Sequence, residues 1–181
     1  MRNRVYLSLG SNTGDRAGNL HAAIERLSQI GEVAAISSFY ETEPLEFTAQ
    51  PWFLNCVVSL ETAKTPAQVL QDALAIEQQM GRRRTQPKGP RNIDIDVLLY
   101  GDQIVDEKGL HIPHPALAGR RFVLEPLVEI APDARHPVLK KTSWELLNAL
   151  PPGQLVRRLP RDPKNLGSDD AAGGLAGHRE R

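Results

Sequence analysis

The chain has 181 residues, 40% hydrophobic and 5% aromatic, with 22 basic and 22 acidic side chains and no formal net charge. That length supports one core and leaves a second domain cramped, and the balanced charge lacks the positive surplus behind generic nucleic-acid binding. Cys56 is the only cysteine, which excludes an intramolecular disulfide and fits a reducing compartment.

Behind Met1-Arg2-Asn3-Arg4 the apolar stretch ends at Leu9, too short for a signal-peptide core, and no run approaches the roughly 18 apolar residues of a membrane span. A cytoplasmic protein that meets neither membrane nor nucleic acid is expected. Val5 to Leu9 reads as a strand ending in the turn formers Gly10-Ser11-Asn12. Leu20, Ile24, Leu27 and Ile30 keep helical spacing up to Gly31, so a helix is predicted over about 19–30. Val33 to Tyr40 is rich in strand formers, a loop covers Pro44 to Pro51, and Phe53 to Leu60 is the clearest strand, antiparallel to the one before it.

Thr65-Pro66-Ala67-Gln68 has the form of a helix start, with Thr as N-cap, Pro at the first helical position and Gln as capping-box partner. Val69, Leu70, Ala73, Leu74, Ile76 and Met80 form its predicted buried stripe, and Gly81 its stop. Ile93 to Tyr100 is a further strand, followed by short strands at Ile104-Val105 and Leu110 to Pro113. Arg121 to Ile130 reads as a helix interrupted near Pro126, and Ser143 as the cap of a last short helix. The order β-α-β-β-α-β predicts an α+β, ferredoxin-like core: an antiparallel sheet, extended by the later strands, with helices packed on it. The domain is expected to span 1–159, with a disordered tail over 160–181, where Pro, Gly, Ala, Asp and Arg dominate.

The chemistry concentrates in Gly89-Pro90-Arg91-Asn92-Ile93-Asp94-Ile95-Asp96-Val97. Residues two apart on a strand share a face, so Asp94 and Asp96 project together, roughly 7 Å apart, with the apolar residues on the other side. Such a pair suits a hard divalent cation that also binds substrate phosphates. A bare Asp-x-Asp is more often a solvated strand edge, but Arg82, Arg83, Arg84, Lys88 and Arg91 gather just before it, and guanidinium forks grip phosphate oxygens. No Gly-x4-Gly-Lys-Ser/Thr run occurs, which excludes a P-loop.

With Gly81-Arg82, Pro113-His114, Arg120-Arg121-Phe122, Gly10-Ser11-Asn12, Ser37-Ser38-Phe39-Tyr40-Glu41-Thr42 and Phe53-Leu54-Asn55, this acidic segment resembles the 6-hydroxymethyl-7,8-dihydropterin pyrophosphokinase family, from about Tyr6 to Pro137. The resemblance implies an enzyme of folate biosynthesis that transfers pyrophosphate from ATP to 6-hydroxymethyl-7,8-dihydropterin, releasing AMP; a monomer is expected. It implies that Asp94 and Asp96 hold two magnesium ions and that Arg82 and Arg91 act on the phosphates. Glu77, Arg84, Arg91, Val97, His114 and Arg120 match ATP-side positions. Thr42, Glu43, Leu45, Phe53, Asn55 and Phe122 match the pterin side, the aromatics holding the ring plane and Asn55 and Thr42 its polar rim. Pro87-Lys88 stands where some members have Arg-Trp, and Leu74 where a Gln can reach the adenine side.

Read from residues alone, Phe53 could be core and Thr42 a turn residue. The rival enzyme class is a nucleotidyltransferase or cyclase, which can set paired aspartates on the same sheet but would release pyrophosphate. An RNA-binding module would need exposed aromatics on a basic sheet face, which this composition does not supply. A regulatory ligand-binding domain leaves the Asp pair and arginine loop unexplained.

Overall fold

A computed structural model describes residues 1–44, 49–81 and 91–161. Its elements in chain order are β1 (Asn3–Ser11), α1 (Arg16–Leu27), β2 (Glu32–Ile36), β3 (Tyr40–Thr42), β4 (Phe53–Thr62), α2 (Pro66–Gln79), β5 (Asp94–Tyr100), β6 (Val105–Glu107), β7 (Leu110–Ile112), a 3-10 turn (Leu117–Gly119), α3 (Arg121–Ile130), α4 (Ser143–Asn148) and β8 (Val156–Arg158). The main sheet runs β5-β1-β4-β3-β8, with β2 also pairing β4, and each of these pairings is antiparallel. The expected α+β layout, helices on an antiparallel sheet, is what the chain adopts.

Strand alternation divides the sheet into two unlike faces. Val5, Leu7 and Leu9 of β1, Cys56, Val58 and Leu60 of β4, and Ile95 and Val97 of β5 point one way, into a core closed by α1 and α2. Each such aliphatic side chain withdrawn from water contributes about 1.5–3 kcal/mol. Thr65 caps α2 through a reciprocal box with Gln68, as its sequence predicts, and Val69, Ala73 and Ile76 are buried. Leu74 is 42% exposed and does not belong to that stripe.

The opposite face carries Ser8 and Gly10 of β1, Asn55 and Val57 of β4, and Asp94 and Asp96 of β5. A second core covers only part of it: Val57, Leu98 and Leu99 pack against Leu117, Val123, Leu124, Leu127 and Leu146 from the 3-10 turn, α3 and α4. The polar row lies beyond that cover.

Several boundaries differ from the expectations, each for a local reason. Gly10 and Ser11 continue β1 instead of turning, because β4 and β5 both pair with Gly10 and β4 carries the ladder on to Ser11. The predicted strand 33–40 is two strands: the Ser37 hydroxyl accepts from Val57 N at 2.9 Å, and Ser38 N donates to the Glu129 carboxylate at 3.0 Å, which diverts the chain from the ladder over 37–39. α3 passes through Pro126 without a break; the missing N–H forfeits one bond to the carbonyl four residues back. Thr142, not Ser143, caps α4, in a box with Glu145, while the Ser143 hydroxyl donates to Ala131 O at 2.6 Å. β6 and β7 pair only with each other, turning at Gly109 with φ +80°, so they do not extend the main sheet. β8, which the sequence pattern does not announce, does extend it, through β3. Leu159 N bonds to Phe39 O at 2.8 Å, and the predicted tail from 162 onward lies outside the described residues.

Candidate active site

Asp94 and Asp96 are half-buried on the uncovered face of β5, opposite Gly10 and Ser8 of β1. Two carboxylates about 7 Å apart repel by roughly 0.6–2.4 kcal/mol for an effective dielectric between 80 and 20. Arg91 offsets this by pairing with Asp94, Nη1 to Oδ2 at 3.0 Å. Among the described residues no group of three or more His, Cys, Asp or Glu side chains could hold a metal ion. Two carboxylates on one strand face suit a hard cation that takes its remaining oxygen ligands from phosphates and water.

His114 lies near this pair. Its Nδ1 accepts from Ala116 N at 3.1 Å, which leaves the proton of the neutral ring on Nε2. Burial lowers its pKa first and the Arg120 guanidinium lowers it further, while Asp94 pulls it upward. The ring is thus a neutral donor at pH 7, held between a cation and an anion. The Arg120 guanidinium carbon lies 5.5 Å from the centroid of the Phe122 ring.

Across β1 the row continues. Asn55 and Thr42 are 4% and 1% exposed, and Asn55 Nδ2 donates to Thr42 Oγ1 at 2.8 Å. Phe53 pairs opposite Thr42. A Cβ at Gly10 would lie 2.7 Å from Asn55 Oδ1 and 3.7 Å from Phe53 Cδ1, so only glycine leaves the amide its place. Asn55, Gly10 and Asp94 stand in one register across three adjacent strands, which separates the amide from the carboxylate pair by two strand spacings, about 10 Å.

The structure thus brings together Arg91, Asp94, Asp96, His114, Arg120 and Phe122 with Thr42, Phe53 and Asn55 on or beside one face. Three expected residues turn elsewhere. Val97 points its side chain into the α1/α2 core because it is odd in the alternation that exposes Asp94 and Asp96. Glu77 is 3% exposed, and its Oε2 accepts from Ile95 N at 2.8 Å, so its carboxylate braces the β5 edge between the two aspartates. Glu43 accepts from Leu155 N at 2.8 Å and anchors the approach to β8. Leu45, Arg82 and Arg84 lie outside the described residues. Gly10 and Asn12, which the sequence offers as turn formers within a family-matching Gly-Ser-Asn run, carry no site role in that reading and gain one only from the contacts of the fold.

Residues 6–132 match the family model for 7,8-dihydro-6-hydroxymethylpterin-pyrophosphokinase (HPPK). The chain belongs to that family. Its relatives include 2-amino-4-hydroxy-6-hydroxymethyldihydropteridine pyrophosphokinases of Aquifex aeolicus, 42% identical over 76% of this chain and 86% of the relative, and of Pseudomonas aeruginosa, 39% identical over 88% and 99%. The folic acid synthesis protein fol1 of Schizosaccharomyces pombe is 42% identical over 83% of this chain, which spans only 21% of that longer protein. A crystal structure of Plasmodium falciparum HPPK-DHPS superposes with a TM-score of 0.66 over 82% of this chain and 44% of that one, at 18% identity, a likeness of fold. The HPPK match spans both halves of the polar row, from β1 through α3.

Proposed function

We propose that this HPPK-family chain transfers the pyrophosphoryl group of ATP to the hydroxymethyl oxygen of 6-hydroxymethyl-7,8-dihydropterin, releasing AMP, with two magnesium ions held by Asp94 and Asp96. The observation that carries the reading is the single register Asn55–Gly10–Asp94, which sets an amide suited to a heterocycle rim beside a carboxylate pair suited to a metal-bound triphosphate. Asp94 and Asp96 would hold the magnesium, which would supply positive charge to offset that of the phosphates.

The chain's own groups do the rest. Arg91, held at Asp94, presents its guanidinium to oxygens whose charge grows in the transition state. His114 offers a phosphate oxygen its Nε2 proton, and Arg120 adds positive charge next to it. Asn55 and Thr42, already bonded to each other, present a preorganised polar edge to the pterin, and Phe53 and Phe122 hold its plane. Holding both reactants on one rigid sheet converts an encounter in solution into a local displacement, which adds to the electrostatic stabilisation.

No helix among the described residues is long and apolar enough to cross a membrane. Cys56 is fully buried, with burial raising its thiol pKa, so it takes no part in redox chemistry. A monomer working in the cytoplasm is part of the same proposal. The test is product identification: the chain incubated with ATP, magnesium and the reduced hydroxymethylpterin is expected to yield AMP and the pterin diphosphate. Release of pyrophosphate would instead place it with the nucleotidyltransferases or cyclases.

A further inference from the structure

Asn12 is 1% exposed and joins two segments distant in sequence. Its Oδ1 accepts from Arg91 N at 2.7 Å, and its own backbone N–H donates to Arg91 O at 2.9 Å, so Arg91 is gripped on both sides of its Cα. Its Nδ2 donates to Gln50 Oε1 at 2.8 Å and to Pro51 O at 3.1 Å. Arg91 carries the guanidinium paired with Asp94; Pro51 leads through Trp52 into Phe53 at the start of β4. Arg16 steadies the same approach by donating to Trp52 O at 3.0 Å.

The bonding pattern demands a carboxamide. One planar group must supply an acceptor oxygen on one side and two donor protons on the other. Aspartate keeps the acceptor and loses both donors, leucine fills the space with neither, and serine is too short to reach both segments.

We infer that Asn12 is a positioning residue that fixes the phosphate-side half of the site, through the Arg91 main chain, against the pterin-side half, through Gln50 and Pro51. This rests on the proposed function, in which Arg91 serves the phosphates and Phe53 and Asn55 the pterin. Asn12 touches neither substrate. It sets the distance between them, and group transfer between two bound molecules is sensitive to that distance.

The test compares the unaltered chain with Asn12→Leu and Asn12→Asp, measuring kcat, the KM of each substrate and the folded fraction by circular dichroism. Asn12→Leu is expected to lose on the order of 100-fold in kcat while folded, the penalty of a misplacement near 1 Å. Asn12→Asp retains the acceptor for Arg91 N and is expected to raise the pterin KM about tenfold, leaving the nucleotide KM within about twofold. A folded Asn12→Leu with kcat within about twofold of the unaltered chain would overturn the inference, as would an Asn12→Asp that shifts both KM values equally. Should Asn12→Leu not fold, the split between the two KM values of Asn12→Asp decides. No AMP from the unaltered chain would overturn the functional reading and this inference together; AMP formation with unchanged variants overturns this inference alone.

Discussion

The face of the sheet beneath α1 and α2 is built from Val5, Leu7, Leu9, Cys56, Leu60 and Ile95, each nearly or wholly buried, whereas the same strands turn Ser8, Gly10, Asn55, Asp94 and Asp96 the other way. The apolar face carries most of the hydrophobic stabilisation of those strands. The polar face leaves like charges and amides at the edge of a core that covers it only in part, a cost in stability tolerated where ligands are expected to complete the bonding. One strand can thus hold the fold with one set of alternate residues and carry the chemistry with the other.

Substitutions on the two faces should therefore separate turnover from stability. Asp96→Ala is expected to lower turnover on the order of 10³-fold. Its melting temperature should hold or rise, since one of two repelling carboxylates has gone. Near-normal turnover in saturating magnesium would remove the metal assignment. Leu9→Ala, on the same sheet but the other face, is expected to cost about 2–5 kcal/mol in denaturant unfolding while kcat per folded molecule stays close to normal.

Gly10→Ala sharpens the contrast within the polar face. Its added methyl would press on Asn55 Oδ1, so the pterin KM should rise about 10- to 100-fold, the range for losing one or two buried hydrogen bonds, with little change for nucleotide. Equal loss for both substrates would show that the face does not divide as described.

The smallest effect concerns His114. Its pKa is lowered in the folded chain, so above its ordinary value near 6.5 the ring is neutral whether folded or unfolded. Below that value the unfolded chain binds the proton first, and stability falls as pH drops toward the lowered folded pKa. His136, also lowered by burial, adds a slope of the same sign. Replacing His114 by Gln should flatten the acid side of the stability curve, and an unchanged slope would mean the ring is not held neutral.

How much of this was legible in the sequence differs element by element. The Thr65–Gln68 box and the alternation along β4 and β5 announced α2 and the antiparallel pairs, because a capping bond and a two-residue period are local properties of the chain. The break between β2 and β3 was not legible, since it depends on Glu129, 91 residues away from Ser38, taking a backbone N–H that would otherwise join the ladder. Glu77 sat at the margin of a helical stripe; only the docking of α2 along the open edge of β5 turned its carboxylate onto Ile95. β8 had too few apolar residues to announce itself and exists because β3 offered an edge, with Arg158 also meeting Glu129 at 3.1 Å.

The sequence by itself determined the order of the core elements and which carboxylates share a face, because both follow from periodicities written into consecutive residues. Only the tertiary structure decided that Asn55, Gly10 and Asp94 stand in one row, that Asn12 reaches Arg91 and Pro51 together, and that Glu77 and Glu43 serve the scaffold. Strand register and helix docking bring together residues tens of positions apart, and no local pattern encodes those meetings.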